Sequence, residues 1–342
     1  MKKTLYMLTF IITSMSSLHA QNNDYLFMVE QAVKAPSGHN TQPWLFKINE
    51  GSIEIHPNFE KSLPVVDPDN RELFISLGCA AENLCIAASF KGYTSRVSVV
   101  DGGIIIVDLE KDEPIKYDTL FKQIAVRQTN RSVYSGEILS SETLAILKEL
   151  LPEAGIAGYF YKNGTEGFNL ISALVARGNT IQMHSKAFTD ELKQWMRFNK
   201  KHQDKTNDGL SYAAFGAPNL PIFLVKPIMS GYLNDKKQNK EDAKRIQSSS
   251  HFVLLTVQDN TVEQWVNLGR VMERFLLKST ELGVAHAYLN QPIEVKELAV
   301  EMTKALHLSG YPAILLRVGY GDILPYSKRK EVEDVVLLGS ID

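Results

Sequence analysis

One polar turn constrains this chain more than any other segment. Residues 35–44 read Ala-Pro-Ser-Gly-His-Asn-Thr-Gln-Pro-Trp and continue directly into an apolar strand. The first proline cannot continue a helix, and Gly38 can adopt a positive φ angle. The segment therefore predicts a turn at which the backbone approaches a ligand, and an ordinary loop with its own hydrogen bonds is the alternative interpretation. Short polar side chains that could face a flat heteroaromatic edge follow at Ser37, Asn40 and Gln42.

Size and charge exclude some classes of protein. With 342 residues and 44% hydrophobic content, the chain can form one large domain or two fused lobes. Lys and Arg number 37 against 39 Asp and Glu, which gives a formal net charge of −2. Because nucleic-acid binders carry a strong basic field, we expect no nucleic-acid partner. The histidines are scattered without the spacing of metal ligands, so no metal site is expected.

The amino terminus predicts an export signal. Lys2 and Lys3 form a basic start, residues 5–12 are largely apolar, and Leu18-His19-Ala20 resembles a cleavage site. A buried first helix or a membrane anchor is the alternative, but a membrane span needs about 20 apolar residues. We therefore expect a mature chain that begins at Gln21, is exported to the periplasm and has no membrane partner after signal removal.

The two cysteines predict no disulfide. Cys79 and Cys85 lie six positions apart in a predicted helix. That spacing separates them by about 240° around the helix axis, so they face different directions. We expect both to be small core residues.

The order of helical and strand patterns predicts an α+β fold. Each half carries strands and a long helix, as two analogous lobes would. In the first half we expect a helix over residues 25–34, a hairpin over 44–56, a helix over 71–90 and two strands over 97–109. In the second half we expect helices over residues 141–151, 168–183, 190–198, 262–282 and 295–307, and strands over 252–257 and 313–318.

A second motif predicts an anion site. The segment Arg127-Gln128-Thr129-Asn130-Arg131 places two guanidinium groups and a hydroxyl where a helix gives way to a turn. A phosphate needs converging cations and short donors, which this set can supply. Two ordinary surface arginines are the alternative. A further basic group follows far along the chain at Arg329, between Lys328 and Lys330.

Together the motifs resemble the nitroreductase superfamily of FMN proteins, and their order and spacing fit its Acg-type branch. In ordinary nitroreductases the arginine motif precedes the proline-flanked turn, and the flavin lies between two subunits. Here the order is inverted and each motif occurs once. The motifs are Pro36 to Trp44, Arg127 to Tyr134, Glu281-Leu282-Gly283-Val284, and Arg329 with Val332-Glu333-Asp334-Val335-Val336.

The resemblance implies a nitroreductase-like fold in which two fused lobes form an internal pseudo-dimer with one flavin site. The chain would then not need the partner subunit that the family usually requires, and a monomeric pseudo-dimer could form the complete site. After the signal peptide at residues 1–20, the first lobe would cover residues 21–115. The second would cover residues 116–342 and carry a lid near 200–245, although for the charged residues 235–245 the sequence alone favours a solvated loop or helix.

The resemblance also implies which residues contact FMN. The phosphate would be held by Arg127, Thr129, Arg131 and Arg329, although Ser327 stands where some relatives carry a basic residue. The turn residues Pro36, Ser37, Gly38, His39, Asn40 and Gln42 would approach the isoalloxazine, and His39 could instead satisfy the loop. Backbone N–H groups near Tyr288, Leu289 and Asn290 would face flavin N5 and O4.

By resemblance, the leading functional expectation is an FMN-dependent oxidoreductase with no catalytic side chain, because the flavin carries the chemistry. NAD(P)H would reduce the flavin, which would pass electrons to a small-molecule acceptor of nitroaromatic or quinone-like type. One alternative is an FMN-sequestering protein with little turnover, because Acg-type members are thought to bury the flavin under a lid. A cofactor-free pseudoenzyme is a third possibility.

Overall fold

The computed structural model describes residues 21–112, 116–151, 153, 155–213, 218–231 and 233–337. The expected signal peptide, residues 1–20, lies outside these residues. The expected lobe boundary at residue 115 also falls on a part of the chain that is not described.

The first half forms an antiparallel sheet of four strands beside a long helix. The sheet order is β1-β2-β4-β3, and the predicted hairpin and the helix over residues 71–90 are confirmed. The side chain of Asp67 caps the start of this helix, because its Oδ2 accepts the Leu73 N–H at 3.0 Å, whereas Asn70 makes no side-chain cap. The elements are α1 (residues 21–32), β1 (Trp44–Asn49), β2 (Ser52–Pro57), α2 (Arg71–Phe90), β3 (Tyr93–Val100) and β4 (Ile104–Lys111).

The second half forms another antiparallel sheet with helices around it. Its order is β5-β8-β10-β9, and two short strands, β6 and β7, pair in parallel outside it. The elements are α3 (Phe121–Ile124), α4 (Ser141–Glu149), β5 (Ile156–Lys162), α5 (Glu166–His184), α6 (Lys186–Trp195), β6 (Met196–Arg197), α7 (Lys200–Thr206), β7 (Leu210–Ser211), α8 (Ile222–Ser230), α9 (Asp235–Gln247), β8 (His251–Val257), α10 (Val262–Glu281), β9 (Ala285–Tyr288), α11 (Gln291–Glu294), α12 (Lys296–Ala305) and β10 (Tyr311–Gly319).

Two central helices, α2 and α10, join the halves through a very close contact. Gly78 on α2 lies against Gly269 on α10, and a Cβ added to Gly78 would lie 2.1 Å from the Val266 carbonyl oxygen. A Cβ added to Gly269 would lie equally close, at 2.1 Å, to the Ile75 carbonyl oxygen. Only glycine permits this approach, because any side chain would have to push the two backbones apart.

Polar contacts fix the same helix pair. The buried carboxylate of Glu82 on α2 accepts from Arg270 Nε at 3.0 Å and from Arg274 Nη1 at 2.8 Å, both on α10. The thiol of Cys79 donates to the Gly269 carbonyl at 3.2 Å, and burial raises its pKa well above the usual value. Cys79 and Cys85 are both free thiols, as the sequence predicted.

The carboxyl-terminal segment returns to the first sheet. The Phe46 N–H donates to the Val335 carbonyl at 2.8 Å, and the Leu337 N–H donates to the Phe46 carbonyl at 2.8 Å. These bonds add residues 335–337 beside β1. The segment before them, residues 325–332, must therefore cross from the second sheet to the first.

Among the described residues, α2 is the one helix whose length and apolar composition would allow it to cross a membrane. Most of its apolar stretch is buried inside the fold. It therefore serves as a core helix between the first sheet and α10.

We expect Gly269→Ala to destabilise the protein by about 3 kcal/mol or more, because the new methyl group meets backbone that cannot rotate away. Gly102→Ala is the matched control, since its Cβ would meet open space and only its φ of +78° opposes the change. That control should cost about 1 kcal/mol. Denaturant unfolding of both variants tests the contact, and equal losses would contradict it.

Candidate functional site

One cavity brings together the motifs that the sequence analysis singled out. Its volume is about 550 Å³, which lies in the range of cavities that hold small organic ligands. The other walls come from residues 209–211 and from the crossing segment 325–332. The predicted site residues that line the cavity are Pro36, Ser37, Asn40, Arg127, Thr129, Arg131 and Arg329.

The turn has a strained backbone. His39, Asn40 and Gln42 have φ angles of 48°, 55° and 55°, in the left-handed region that side chains disfavour. Gly38 does not use the positive φ angle that glycine permits, because it is not among the residues in that region. Each strained residue costs roughly 1 to 2 kcal/mol, so other contacts must hold the turn in place.

Gly38 serves close packing instead. A Cβ at this position would lie 3.2 Å from Leu63 Cδ1 and 3.5 Å from Glu72 Oε2. The absence of a side chain at Gly38 therefore leaves room for Leu63 and Glu72. Gly38 does not line the cavity.

Asn40 connects the turn to two other segments. Its Nδ2 donates to the Gly209 carbonyl and to the Lys328 carbonyl, each at 3.1 Å. Its Oδ1 accepts from Arg329 Nη1 at 2.9 Å, and its backbone carbonyl accepts the Gly209 N–H at 3.0 Å. Both side-chain N–H groups of Asn40 are therefore used to hold the cavity walls together.

Gln42 has a similar structural role. Its buried side chain donates through Nε2 to the Asn207 carbonyl at 2.8 Å and accepts the Lys330 N–H at 2.8 Å. Its own N–H donates to Ser37 Oγ at 3.0 Å. These contacts point Gln42 away from the cavity, whose lining does not include it.

Two arginines converge on the end of the first helix. Arg127 donates to the Lys34 carbonyl, and Arg329 Nη2 donates to the same oxygen at 3.4 Å. Arg127 Nε also lies 3.2 Å from Glu273 Oε1, and both side chains are almost fully buried. The carbonyl groups at a helix carboxyl end carry partial negative charge, which favours this placement.

The arginines raise the positive potential of the cavity. Burial, followed by the positive charge of Arg127, lowers the pKa of Arg329 to about 9. Burial, followed by the positive charge of Arg245, lowers the pKa of Arg131 to about 10. An anion in the cavity would reduce this repulsion, and Glu273 is the buried carboxylate that already pairs with Arg127.

Two donors beside the arginines lack hydrogen-bond partners in the described part of the chain. They are Tyr288 Oη and Arg329 Nε. Burial raises the pKa of Tyr288 well above its usual value, so its phenol keeps its proton and remains a donor. Buried donors without acceptors are costly. Arg329 lines the cavity, so its Nε indicates a place for an acceptor-rich ligand, whereas Tyr288 is not among the lining residues.

The remaining residues of that predicted segment have other partners. The Leu289 N–H donates to the Leu315 carbonyl at 2.9 Å, so it is not available to face a ligand. Asn290 accepts the Leu315 N–H at 2.9 Å and donates to Glu72 Oε1 at 3.0 Å. The expected ligand contact of the Leu289 N–H is thus replaced by a contact within the fold, and the Asn290 side chain is bonded within the fold as well.

His39 is uncharged near neutral pH. Burial lowers its pKa to about 4, and the positive charge of Arg131 acts in the same direction. His39 therefore adds a neutral imidazole beside Arg131 and no further positive charge.

The sequence analysis missed a group of buried carboxyls next to the turn. Burial, followed by the negative charge of Asp67, raises the pKa of Glu72 to about 7. Burial, followed by the charge of Glu72, raises the pKa of Glu294 to about 8. Glu72 directly follows the predicted helix start, but nothing in the sequence pairs it with Glu294.

Among the described residues of the proposed lid, only residues 209–211 line the cavity. Burial alone would raise the pKa of Asp208, but the hydrogen bond and charge of Arg197 hold it below the usual value. Arg197 Nη2 lies 2.6 Å from Asp208 Oδ1, and Lys61 Nζ lies 3.3 Å from Asp208 Oδ2. The later part of the proposed lid, α9, instead contacts α5 through Asn179 Nδ2, which donates to Asp242 Oδ2 at 3.0 Å.

Comparison with known proteins shows which sequences this chain resembles. No protein-family model matches the chain. Its sequence is 24% identical over 319 residues to proteins named "Putative NAD(P)H nitroreductase" from two Mycobacterium tuberculosis strains, CDC 1551 / Oshkosh and H37Rv. Each similarity covers 89% of this chain and 88% of the relative.

Solved structures give weaker similarities. A nitroreductase with bound FMN from Desulfitobacterium hafniense has 13% identity and a TM-score of 0.42, covering 65% of this chain and 100% of its own. An FMN-dependent nitroreductase from Mycobacterium smegmatis in complex with NADPH has 13% identity and a TM-score of 0.38, covering 59% and 86%. The sequence relatives therefore carry the comparison. Over most of its length the chain is similar to proteins named as nitroreductases, and its turn and arginine motifs meet in one cavity of an α+β fold.

Proposed function

We propose that this chain is an FMN-dependent oxidoreductase that takes hydride from NAD(P)H and passes electrons to a nitroaromatic or quinone-like acceptor. The observation that carries the proposal is the convergence of Arg127, Arg131 and Arg329 on one cavity. A phosphate group matches this set better than a neutral ligand does, because it offsets the repulsion between the arginines. The names of the sequence relatives support NAD(P)H as the electron donor.

The residues present fit FMN. Arg127, Thr129, Arg131 and Arg329 would hold the phosphate, and Pro36 and Ser37 would lie beside the rest of the ligand. Arg329 lines the cavity, and its Nε has no hydrogen-bond partner within the described residues, which supports an acceptor-rich ligand here. FMN, when bound, supplies the hydride and electron chemistry that side chains cannot perform.

The side chains around the cavity position the ligand and hold protons. Asn40 and Gln42 fix the turn against the opposite walls, which limits the entry of water. Glu72 lies behind Gly38 with a pKa of about 7, so its carboxyl can hold a proton near neutral pH. No acid and base pair is required, because the protein's role is to bind and orient.

We expect Arg131→Ala to weaken FMN binding roughly ten- to a hundredfold, because a charge-assisted contact contributes about 1.5 to 3 kcal/mol. Riboflavin binding should change little, since riboflavin has no phosphate. Titration of the wild type and the variant with both flavins measures the difference.

Arg177→Ala on α5 is the matched control, because this exposed arginine pairs with Glu301 and does not line the cavity. It should leave both affinities unchanged. Equal losses of FMN and riboflavin in Arg131→Ala would contradict the phosphate assignment.

A second candidate function is FMN storage with little turnover. The contacts that support it are the bonds from Asn40 and Gln42 to the chain around Gly209, which close one side of the cavity. The ion pairs of Asp208 with Arg197 and Lys61 add to this closure. A permanently closed cavity would exclude NAD(P)H and acceptors alike.

Stopped-flow mixing of the FMN-loaded protein with NADPH separates the two functions. Rapid bleaching of the oxidised flavin band is the result expected for the enzyme. Asn40→Ala removes three side-chain hydrogen bonds to the cavity walls, so it should accelerate bleaching wherever wall opening limits the rate. Absent bleaching in the wild type, restored by Asn40→Ala, would indicate storage, and Asn58→Ala is the control outside the cavity lining.

We further propose that the two halves, residues 21–115 and 116–342, form an internal pseudo-dimer with one flavin site. The two four-stranded sheets and the contact between α2 and α10 support this division. The turn comes from the first half and the arginine motif from the second, so the site needs both.

Export to the periplasm is the accompanying proposal for residues 1–20. The basic start and the apolar run support it. Export would require the protein to acquire its flavin outside the cytoplasm, where NAD(P)H is scarce, and another electron donor could then act.

Native mass spectrometry of the protein from its own periplasm tests both proposals in one measurement. We expect a monomer that begins at Gln21 and carries one FMN. Two flavins per chain would contradict the single-site argument. Intact Met1 in a cytoplasmic fraction would contradict export and leave the pseudo-dimer proposal unaffected.

A further inference from the structure

Helix α8 displays apolar side chains to solvent. Ile222, Phe223 and Leu224 are 43%, 74% and 46% exposed, and they are consecutive. Val225 is buried and contacts Met196, so this residue anchors the helix to the fold. Three consecutive exposed large apolar residues are unusual on a protein surface and indicate an interaction site.

Lysines lie beside this apolar group. Lys200, Lys201 and Lys205 line a surface hollow of about 650 Å³ together with Leu220 and Pro221, the two residues before α8. Lys226 is exposed on α8 itself. The apolar residues and the lysines thus form one continuous surface, which we call the α8 surface.

The positive charge of the α8 surface is not balanced locally. Two aspartates lie between residues 199 and 227, and both pair with cations from outside that segment. Asp204 lies 3.6 Å from Lys328 Nζ, and Asp208 pairs with Arg197. Within the described residues, no ion pair involves Lys200, Lys201, Lys205 or Lys226.

We infer that the α8 surface docks the protein peripherally on an anionic phospholipid membrane. Apolar side chains that enter the boundary between headgroups and acyl chains, with lysines beside them, are the combination that binds such membranes. The long lysine side chains can keep their ammonium groups at the phosphates while their stems cover apolar surface. This inference differs from the sequence-based expectation of no membrane partner, and it is independent of the proposed flavin chemistry.

A second copy of the chain fits the same surface less well. A symmetric dimer places the same patch of both subunits at one interface, which would bring Lys200, Lys201 and Lys205 of both copies together. Like charges placed against each other oppose association. An anionic lipid surface has the opposite charge and avoids this repulsion.

Co-sedimentation of the mature protein with vesicles tests the inference. We expect binding to vesicles of equal parts phosphatidylglycerol and phosphatidylcholine, little binding to pure phosphatidylcholine, and weaker binding as salt increases. Phe223→Ser with Leu224→Ser should reduce binding about tenfold or more, because both side chains lose apolar burial. Charge reversal of Lys200, Lys201 and Lys205 to Glu should also reduce it.

Helix α12 offers a matched control on another surface. Val300 is 49% exposed between the exposed Lys296 and Lys304 on one helix face, because the three residues are spaced four apart. Val300→Ser with Lys296→Glu and Lys304→Glu should leave vesicle binding unchanged. Unchanged thermal unfolding shows that each variant remains folded.

Three results would overturn the inference. The first is a wild-type protein that binds neither kind of vesicle. The second is equal loss of binding in the α8 and α12 variants. The third is a dimer in analytical ultracentrifugation that Phe223→Ser dissociates, which would assign the α8 surface to a second copy.

Discussion

The contact between Gly78 and Gly269 is the constraint on which the rest of the structure depends. It allows the backbones of α2 and α10 to touch, and each helix packs against the sheet of its own half. The turn before β1 and the arginine motif before β5 lie in different halves, yet both line the same cavity. The distance between the turn and the arginine motif is constant only if α2 and α10 stay packed against each other. A wider separation would open the cavity along the boundary between the halves.

The polar groups that line the cavity favour a bound anion. Arg127 is buried, and the pKa values of Arg131 and Arg329 are lowered by burial. Buried cations and donors without acceptors are unfavourable in a protein interior unless an anion is present. Glu273 pairs with Arg127, but its carboxylate is itself buried. Ligand binding should therefore stabilise the fold as well as complete the site, because binding to the native state alone shifts the unfolding equilibrium.

Much of the fold and the choice of motifs could be predicted from the sequence, because apolar periodicity and turn residues are local signals. The long helices α2 and α10 were predicted to within one residue, whereas β5 and β9 were missed. The roles of the turn residues could not be predicted in the same way. Gly38 is required for packing against Leu63, and Gln42 holds two distant segments, so both roles depend on tertiary contacts with no local pattern.

The strength of the wall contacts bears on the choice between enzyme and storage protein. Three hydrogen bonds join the turn to the chain near Gly209: two between Asn40 and Gly209, and one from Gln42 to Asn207. At about 0.5 to 1.5 kcal/mol each, they oppose opening by roughly 2 to 4 kcal/mol. That range leaves an open state at roughly one molecule in thirty to one in a thousand. Since local opening takes microseconds to seconds, these bonds slow access to the cavity but do not seal it, which favours turnover over storage.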